Sequence, residues 1–266
     1  MEKSRLDVAM EERGLAHSRS LAQRLIMAGS VRLNGQVAIK PGTKVKPDDS
    51  IEISQGPRFV SRGGEKLLAA LEAFELTDLK DRICVDVGAS TGGFTDCLLQ
   101  HGAAKVYAVD VGYGLLDWKI RNDPRVVVME KQNARYVRGF EDEINLVTID
   151  ASFISLRTLL PVVRTWFTSR GGEVVALIKP QFEAGRKQTA RGSGVIRDAV
   201  VHRSILENIL QFADSEEYKV MGLIKSPLTG PKGNIEFLVH LGYPGENGVD
   251  IDPFIDALQL FSADKN

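Results

Sequence analysis

The stretch Ile83-Cys84-Val85-Asp86-Val87-Gly88-Ala89-Ser90-Thr91-Gly92-Gly93-Phe94-Thr95 is compatible with few folds. Ile83, Val85 and Val87 suit a buried strand. Gly88, Gly92 and Gly93 remove Cβ where a backbone must turn sharply or approach a ligand. Phe94, Cys97, Leu98 and Leu99 give the following segment the apolar face of a helix. A strand, a glycine turn and a helix N-terminus form the crevice of an open α/β sheet. A βα turn without a ligand has the same outline, and a lone glycine pattern is weak evidence. The remainder of the chain therefore has to decide what occupies the crevice.

From residue 83 onward, strand and helix patterns alternate. Strands are expected at 106–110, 126–128, 146–150, 174–179, 219–225 and 235–240. Those over 106–110, 146–150 and 174–179 end in Asp110, Asp150 and Lys179. Helices are expected over 65–74, after the glycine turn to about His101, over 156–168, from Asp198 to Phe212, and over 253–261. This alternation predicts an α/β fold, a Rossmann-like and mostly parallel seven-stranded sheet with helices on both faces. The 266 residues, 43% hydrophobic, can bury a sizeable core. No uncharged apolar run approaches ~18 residues, so no membrane span is expected. No apolar leader follows the charged segment Met1 to Asp7. Cys84 and Cys97 fall in apolar positions and read as reduced core residues of a cytoplasmic protein.

Residues 1–56 differ from the rest. Helices are expected from Arg5 to Arg13 and from Ser18 to Gly29. Val31 to Leu33 then enters an Asn34-Gly35 turn, a strong hairpin signal. Val37 and Ile39 return, Pro41-Gly42 turns again, and Ile51-Glu52-Ile53 closes a small α+β module. Up to residue 60 the chain carries ten basic and seven acidic residues, a local charge of +3 on a chain of net charge -1. Such asymmetry fits a small RNA-binding module joined to a more acidic domain, and equally a solvated face of mixed charges. Residues 57–62 are expected to be a short interdomain linker, and 63–266 the second domain.

Asp110 lies 22 residues after Gly88, at the end of the next strand. An acid there can accept hydrogen bonds from both ribose hydroxyls of an adenosine group. A dinucleotide and S-adenosyl-L-methionine both meet that description. The spacing Gly88-x-x-x-Gly92-Gly93 is not G-x-G-x-x-G and does not mark a tightly held pyrophosphate. Asp86 within the strand, and the turn through Ser90, Thr91, Gly92, Gly93 and Phe94, resemble the S-adenosylmethionine motif of methyltransferases instead. Val111 follows the acid. Glu130, Gln132 and Asn133 follow the third strand, where an adenine pocket is expected; ordinary loop capping accounts for Glu130 and Asn133 as well.

Lys66, Asp150, Lys179 and Glu236 draw attention next. Singly, each has a bland explanation: a solvated helix lysine, a helix cap, an edge-strand acid. Lys179 is harder to dismiss, because it directly follows five apolar strand residues and precedes Pro180. Burial at such a place disfavours the charged form. Together the four resemble the Lys-Asp-Lys-Glu tetrad of FtsJ-type ribose 2′-O-methyltransferases. The resemblance implies Lys179 as general base, Lys66 as a cation stabilising developing oxyanion charge, and Asp150 and Glu236 orienting the two ammonium groups. No metal is expected, since His17, His101, His202 and His240 are scattered.

Two larger resemblances follow. Leu15 to Gly35 with Lys40-Pro41 resembles the S4 RNA-binding domain. The whole chain is similar to the TlyA (hemolysin A) family of rRNA 2′-O-methyltransferases, through Ser61 to Leu67, Asp86 to Thr95, Asp110 to Gly114, Asp150 to Leu156, Lys179 to Glu183, Gly192 to Asp198 and Pro231 to Glu236. That family implies methylation of cytidine 2′-hydroxyls in 16S and/or 23S ribosomal RNA within ribosomal subunits. It implies RNA contacts from Arg5, Arg19, Lys40 and Arg62, with Arg186 and Lys187 as further candidates. Arg58-Phe59-Val60 keeps the basic and aromatic character of the family's interdomain segment but not its usual sequence. Two alternatives stand beside this. A cytolytic protein, as the family name suggests, needs a spanning helix or a barrel, and neither is readable. A catalytically silent RNA-binding protein would not need all four tetrad residues.

Overall fold

The computed structural model describes residues 3–27, 29–53, 57–184, 194–230, 232–246 and 248–260. The chain divides into two compact units, Met1–Arg58 and Phe59–Asn266.

The first unit contains β1 (Ser4–Arg5), α1 (Leu6–Glu12), α2 (Arg19–Met27), β2 (Val31–Leu33), β3 (Gln36–Val37), β4 (Lys44–Val45) and β5 (Ile51–Ile53). Leu6, Ala9 and Met10 of α1 meet Ala22 and Ile26 of α2 over Val31, Val45 and Ile51. Arg5 is not helical as expected: its extended backbone pairs with Lys44, so α1 starts at Leu6. Ser18 Oγ accepts the Leu21 N–H at 3.2 Å, as a cap should. Asn34 and Gly35 both have positive φ, +50° and +80°. A two-residue type I′ hairpin between β2 and β3 requires that backbone.

The second unit contains α3 (Gly63–Ala73), β6 (Ile83–Val87), α4 (Gly93–Gln100), β7 (Lys105–Val109), α5 (Trp118–Arg121), β8 (Val126–Met129), β9 (Leu146–Ile149), α6 (Leu156–Val163), β10 (Gly172–Ile178), α7 (Pro180–Glu183), α8 (Ala199–Ser215), β11 (Lys219–Lys225), β12 (Phe237–Tyr243) and α9 (Asp252–Asp256). Phe59, inside the segment expected to be linker, is buried in this unit beneath Gly64. The helix expected over 156–168 ends its α-helical part at Val163 and adds one 3₁₀ turn to Trp166. The tail helix is shorter than expected and starts at Asp252.

The sheet runs β11-β12-β10-β9-β6-β7-β8. Side chains alternate across it. Cys84 and Val175 face the layer that holds Leu67, Leu71 and Leu98. Val85 and Val174 face the layer that holds Leu160, Leu206 and Ile209. Neighbours from β10 to β8 are parallel, but β12 is antiparallel to both β10 and β11. The cause is the short link from Lys225 to Phe237, which folds back as a hairpin; a parallel return needs a longer crossover. The chain order reverses between β6 and β9, and that switch point opens a crevice at the carboxyl ends of those strands.

Candidate active site

Three features of β6 and its turn build this crevice. Gly88 has φ +84°, and a Cβ there would stand 2.8 Å from the Asp150 carbonyl oxygen. Only glycine lets the ends of β6 and β9 come this close. Gly93, at the start of α4, leaves room for Ser61 and Gly64, which brings the first turn of α3 to the crevice mouth. The cavity has two lobes. One of about 340 Å³ is lined by Arg62, Lys66, Thr91 and Phe94 among others. The other, about 490 Å³, is lined by Asp110, Val111, Gln132, Asn133, Ser152 and Phe153 among others. Gly88, Ser90 and Asp150 belong to both lobes.

The four charged residues form two ion pairs at this edge. Lys179 Nζ lies 2.6 Å from Asp150 Oδ1 and also donates to Ser152 Oγ at 3.2 Å. Lys66 Nζ lies 2.6 Å from Glu236 Oε2. Lys66 and Asp150 line the cavity. Lys179, 8% exposed, and Glu236, 1% exposed, stand behind them. The reversal of β12 matters here: its first residue, Phe237, pairs with Ile178, the last of β10. Glu236 and Lys179 are therefore brought to the same sheet edge. Gly230 packs against the Glu236 carboxylate, where a Cβ would come within 2.5 Å of Oε1.

Residues 59–243 match the family model of the FtsJ-like methyltransferase. The chain belongs to the TlyA family of FtsJ-like methyltransferases. Residues 4–51 match the S4 domain. The chain is 50% identical over 248 residues to "Putative rRNA methyltransferase YqxC" of Bacillus subtilis, covering 92% of this chain and 87% of that protein. It is 44% identical over 243 residues to "16S/23S rRNA (cytidine-2'-O)-methyltransferase TlyA" of Mycobacterium tuberculosis, covering 90% of each. Among solved structures, "Putative hemolysin from Streptococcus thermophilus" superposes with a TM-score of 0.71 at 44% identity, over 97% of this chain and 96% of that one. Among the described residues, no helix is long and apolar enough to cross a membrane.

In this FtsJ-like methyltransferase the acid after β7 is held by backbone donors. Asp110 accepts the Ser90 N–H at 2.8 Å and the Gly112 N–H at 2.6 Å. Three expected cofactor residues do not line the cavity. Glu130 is taken by the guanidinium of Arg121 and the Gly114 N–H, so it holds the loop after β7. Gly92 is the left-handed residue before α4, packed on Leu116 and Ile120. Asp86 is fully buried beneath the turn, where its carboxylate accepts from Thr95 Oγ1 at 2.7 Å and Thr148 Oγ1 at 3.1 Å. Arg5, Arg19 and Lys40 lie in the S4 unit. Arg186 and Lys187 fall outside the described residues.

Burial pushes the Asp86 carboxyl up to about 7, against the two threonine hydroxyls, which favour its charged form. An unfolded aspartate titrates near ~3.9, so the folded chain binds this proton more tightly. The resulting stabilisation is complete below about pH 4 and is lost as pH rises through about 7. Asp86→Asn cannot titrate. Its urea midpoint should therefore gain on wild type between pH 5 and pH 8; a constant difference would show that Asp86 does not titrate there.

Two residues of this site carried no assignment from sequence. Ser152 is a second oxygen partner for Lys179. Phe153 is 88% exposed, has φ +64°, and its ring sits 4.9 Å from that of Phe182. A left-handed, exposed phenylalanine costs about 1–3 kcal/mol, a strain that marks functional segments. In the sequence both lay inside the Asp150 to Leu156 stretch that carries the family resemblance, two and three residues beyond Asp150, with no role of their own.

Proposed function

We propose that this protein transfers a methyl group from S-adenosylmethionine to the ribose 2′-hydroxyl of a cytidine in ribosomal RNA. One observation carries the reading: two lysine–carboxylate pairs, Lys179–Asp150 and Lys66–Glu236, converge on the edge of a crevice that also presents Asp110. Two lobes joined at Gly88 and Asp150 suit a ligand with two polar ends. Asp110 is placed to accept ribose hydroxyls of an adenosine, with Val111, Gln132 and Asn133 around the base and Ser90, Thr91 and Phe94 toward the other lobe. S-adenosylmethionine, when bound, supplies the electrophilic methyl.

The chain's own residues supply position and proton transfer. As general base, Lys179 takes the 2′-hydroxyl proton at Nζ, and Asp150 and Ser152 hold the ammonium that forms. Lys66, anchored by Glu236, sets a fixed positive charge beside the oxygen as it becomes alkoxide-like. The displacement is in-line, so holding the ribose in place supplies much of the rate. Phe153 offers a flat apolar face on which a base can stack, as RNA-binding aromatics do. Arg5, Arg19 and Lys40 of the S4 unit, and Arg62, hold the RNA through its phosphates. Such a substrate places the protein in the cytoplasm, acting on ribosomal subunits.

The test is direct. The protein is incubated with labelled S-adenosylmethionine and, separately, small and large ribosomal subunits, and methylated riboses are mapped. Label at one or two cytidine 2′-oxygens is expected. Label on a base, or none on either subunit, would overturn the reading.

A further inference from the structure

A second charged cluster lies outside the catalytic unit. Asp7, the second residue of α1, is fully buried. Its carboxylate accepts from Arg5 Nε at 2.9 Å and Nη2 at 3.2 Å, from Arg19 Nε at 2.9 Å, and from Gln23 Nε2 at 2.7 Å. One carboxylate thus gathers two guanidiniums and leaves the cluster with a surplus positive charge. Burial by itself would push the Asp7 carboxyl up, but the hydrogen bonds from Arg5, Gln23 and Arg19 outweigh it and hold the group well below the usual carboxylate range.

The arginines are not consumed by this pairing. Their side chains are about half exposed, 42% for Arg5 and 51% for Arg19. Arg19 uses only Nε, and among the described residues its two terminal amino groups have no protein acceptor. Arg5 lies against Gly42, where a Cβ would come 3.1 Å from Nη1. The turn carrying Lys40 is tied to the start of α1 by Leu6 N–H to Thr43 O at 2.8 Å and Asp7 N–H to Pro41 O at 3.2 Å.

We propose that Asp7 is a positioning residue for substrate: it assembles Arg5 and Arg19 into one fork that grips a backbone phosphate of the RNA. This rests on the reading of the chain as an RNA methyltransferase. Surface arginines otherwise lose side-chain freedom when they bind, and a fork held in place beforehand avoids that loss. Arginine suits the task because Nε can pair with the carboxylate while terminal amino groups remain for a phosphate, both of them in Arg19 and Nη1 in Arg5.

Asp7→Asn separates this role from simple charge. Removing a negative charge beside RNA should tighten binding if only net charge counts; loss of the fork should weaken it. With the full chain and, separately, small and large ribosomal subunits, affinity for the subunit that is bound is expected to fall about tenfold, with the RNA KM rising in step and kcat retained. The slope of log affinity against log salt should flatten by about one, the signature of a lost phosphate contact. Arg19→Lys keeps the charge but not the fork, and should show the same loss, whereas Arg24→Lys on the same helix should not. The double variant Asp7→Asn/Arg19→Lys should bind no more weakly than either single one, within about twofold. Unchanged or tighter binding by Asp7→Asn, or additive losses in the double variant, would overturn the proposal. Should Asp7→Asn not fold, wild-type affinity in Arg19→Lys overturns it alone. A wild-type chain that binds no ribosomal RNA would instead defeat the RNA reading, and the fork with it.

Discussion

Lys179→Ala is expected to lower kcat by about 10²–10⁴-fold, the usual contribution of a positioned general base, while affinity for ribosomal RNA stays within about twofold of wild type. The geometry separates the two effects. Lys179 is 8% exposed and meets Asp150 Oδ1 at 2.6 Å, so its ammonium is not on the outer face where phosphates dock. Its removal leaves Asp150 on the cavity wall, where solvent reaches it, and the loss of stability should be small. Lys179→Met, which keeps the stem, should be as inactive as alanine. Single-turnover methyl transfer with labelled S-adenosylmethionine reads the chemical step, and filter binding reads RNA affinity. Activity within a few fold of wild type would remove Lys179 as the base.

Glu236→Ala is expected to cost stability as well as activity. Glu236 is 1% exposed and is the ion-pair partner of Lys66, itself 12% exposed at the side chain. Removing one member of a buried pair strands the other charge, at a cost of about 3–5 kcal/mol. In a domain of this size that corresponds to a fall in Tm of about 10 °C. The double variant Lys66→Met/Glu236→Leu strands nothing, and replacing both partners by apolar groups is often close to neutral. It should recover most of the lost Tm, measured by calorimetry, and none of the activity. A double variant that is both stable and active would show that Lys66 contributes packing and no chemistry.

Much of the fold was legible in the residue pattern because its signals are local. Strand alternation has a two-residue period, the Gly88 and Asn34-Gly35 turns need positive φ, and Ser18 caps a helix through its own hydroxyl. The acid at Asp110 was legible for the same reason, since it ends a strand next to the glycine turn. Glu130 stayed open between an adenine pocket and loop capping because loop position does not reveal a partner: its carboxylate meets Arg121 and the Gly114 N–H. Asp7 was counted only as one acid among seven, because nothing in its immediate sequence says that Arg19 and Gln23 fold back onto it.

The sequence by itself determined the alternation of elements, the glycine crevice and the four charged residues that could serve it. Tertiary structure decided which of those charges meet. Lys66 and Glu236 stand 170 residues apart and Lys179 and Asp150 stand 29 apart, yet each pair closes to 2.6 Å. The decisive event is the reversal of β12. A short link from β11 favours a hairpin return, so β12 begins where its antiparallel neighbours β10 and β11 end. Glu236 therefore arrives beside Lys66 at the carboxyl edge and not at the far end of the sheet. Side-chain periodicity is the same in either strand direction. Only the packed sheet tells the two directions apart, and with them an acid in solvent from an acid in the crevice.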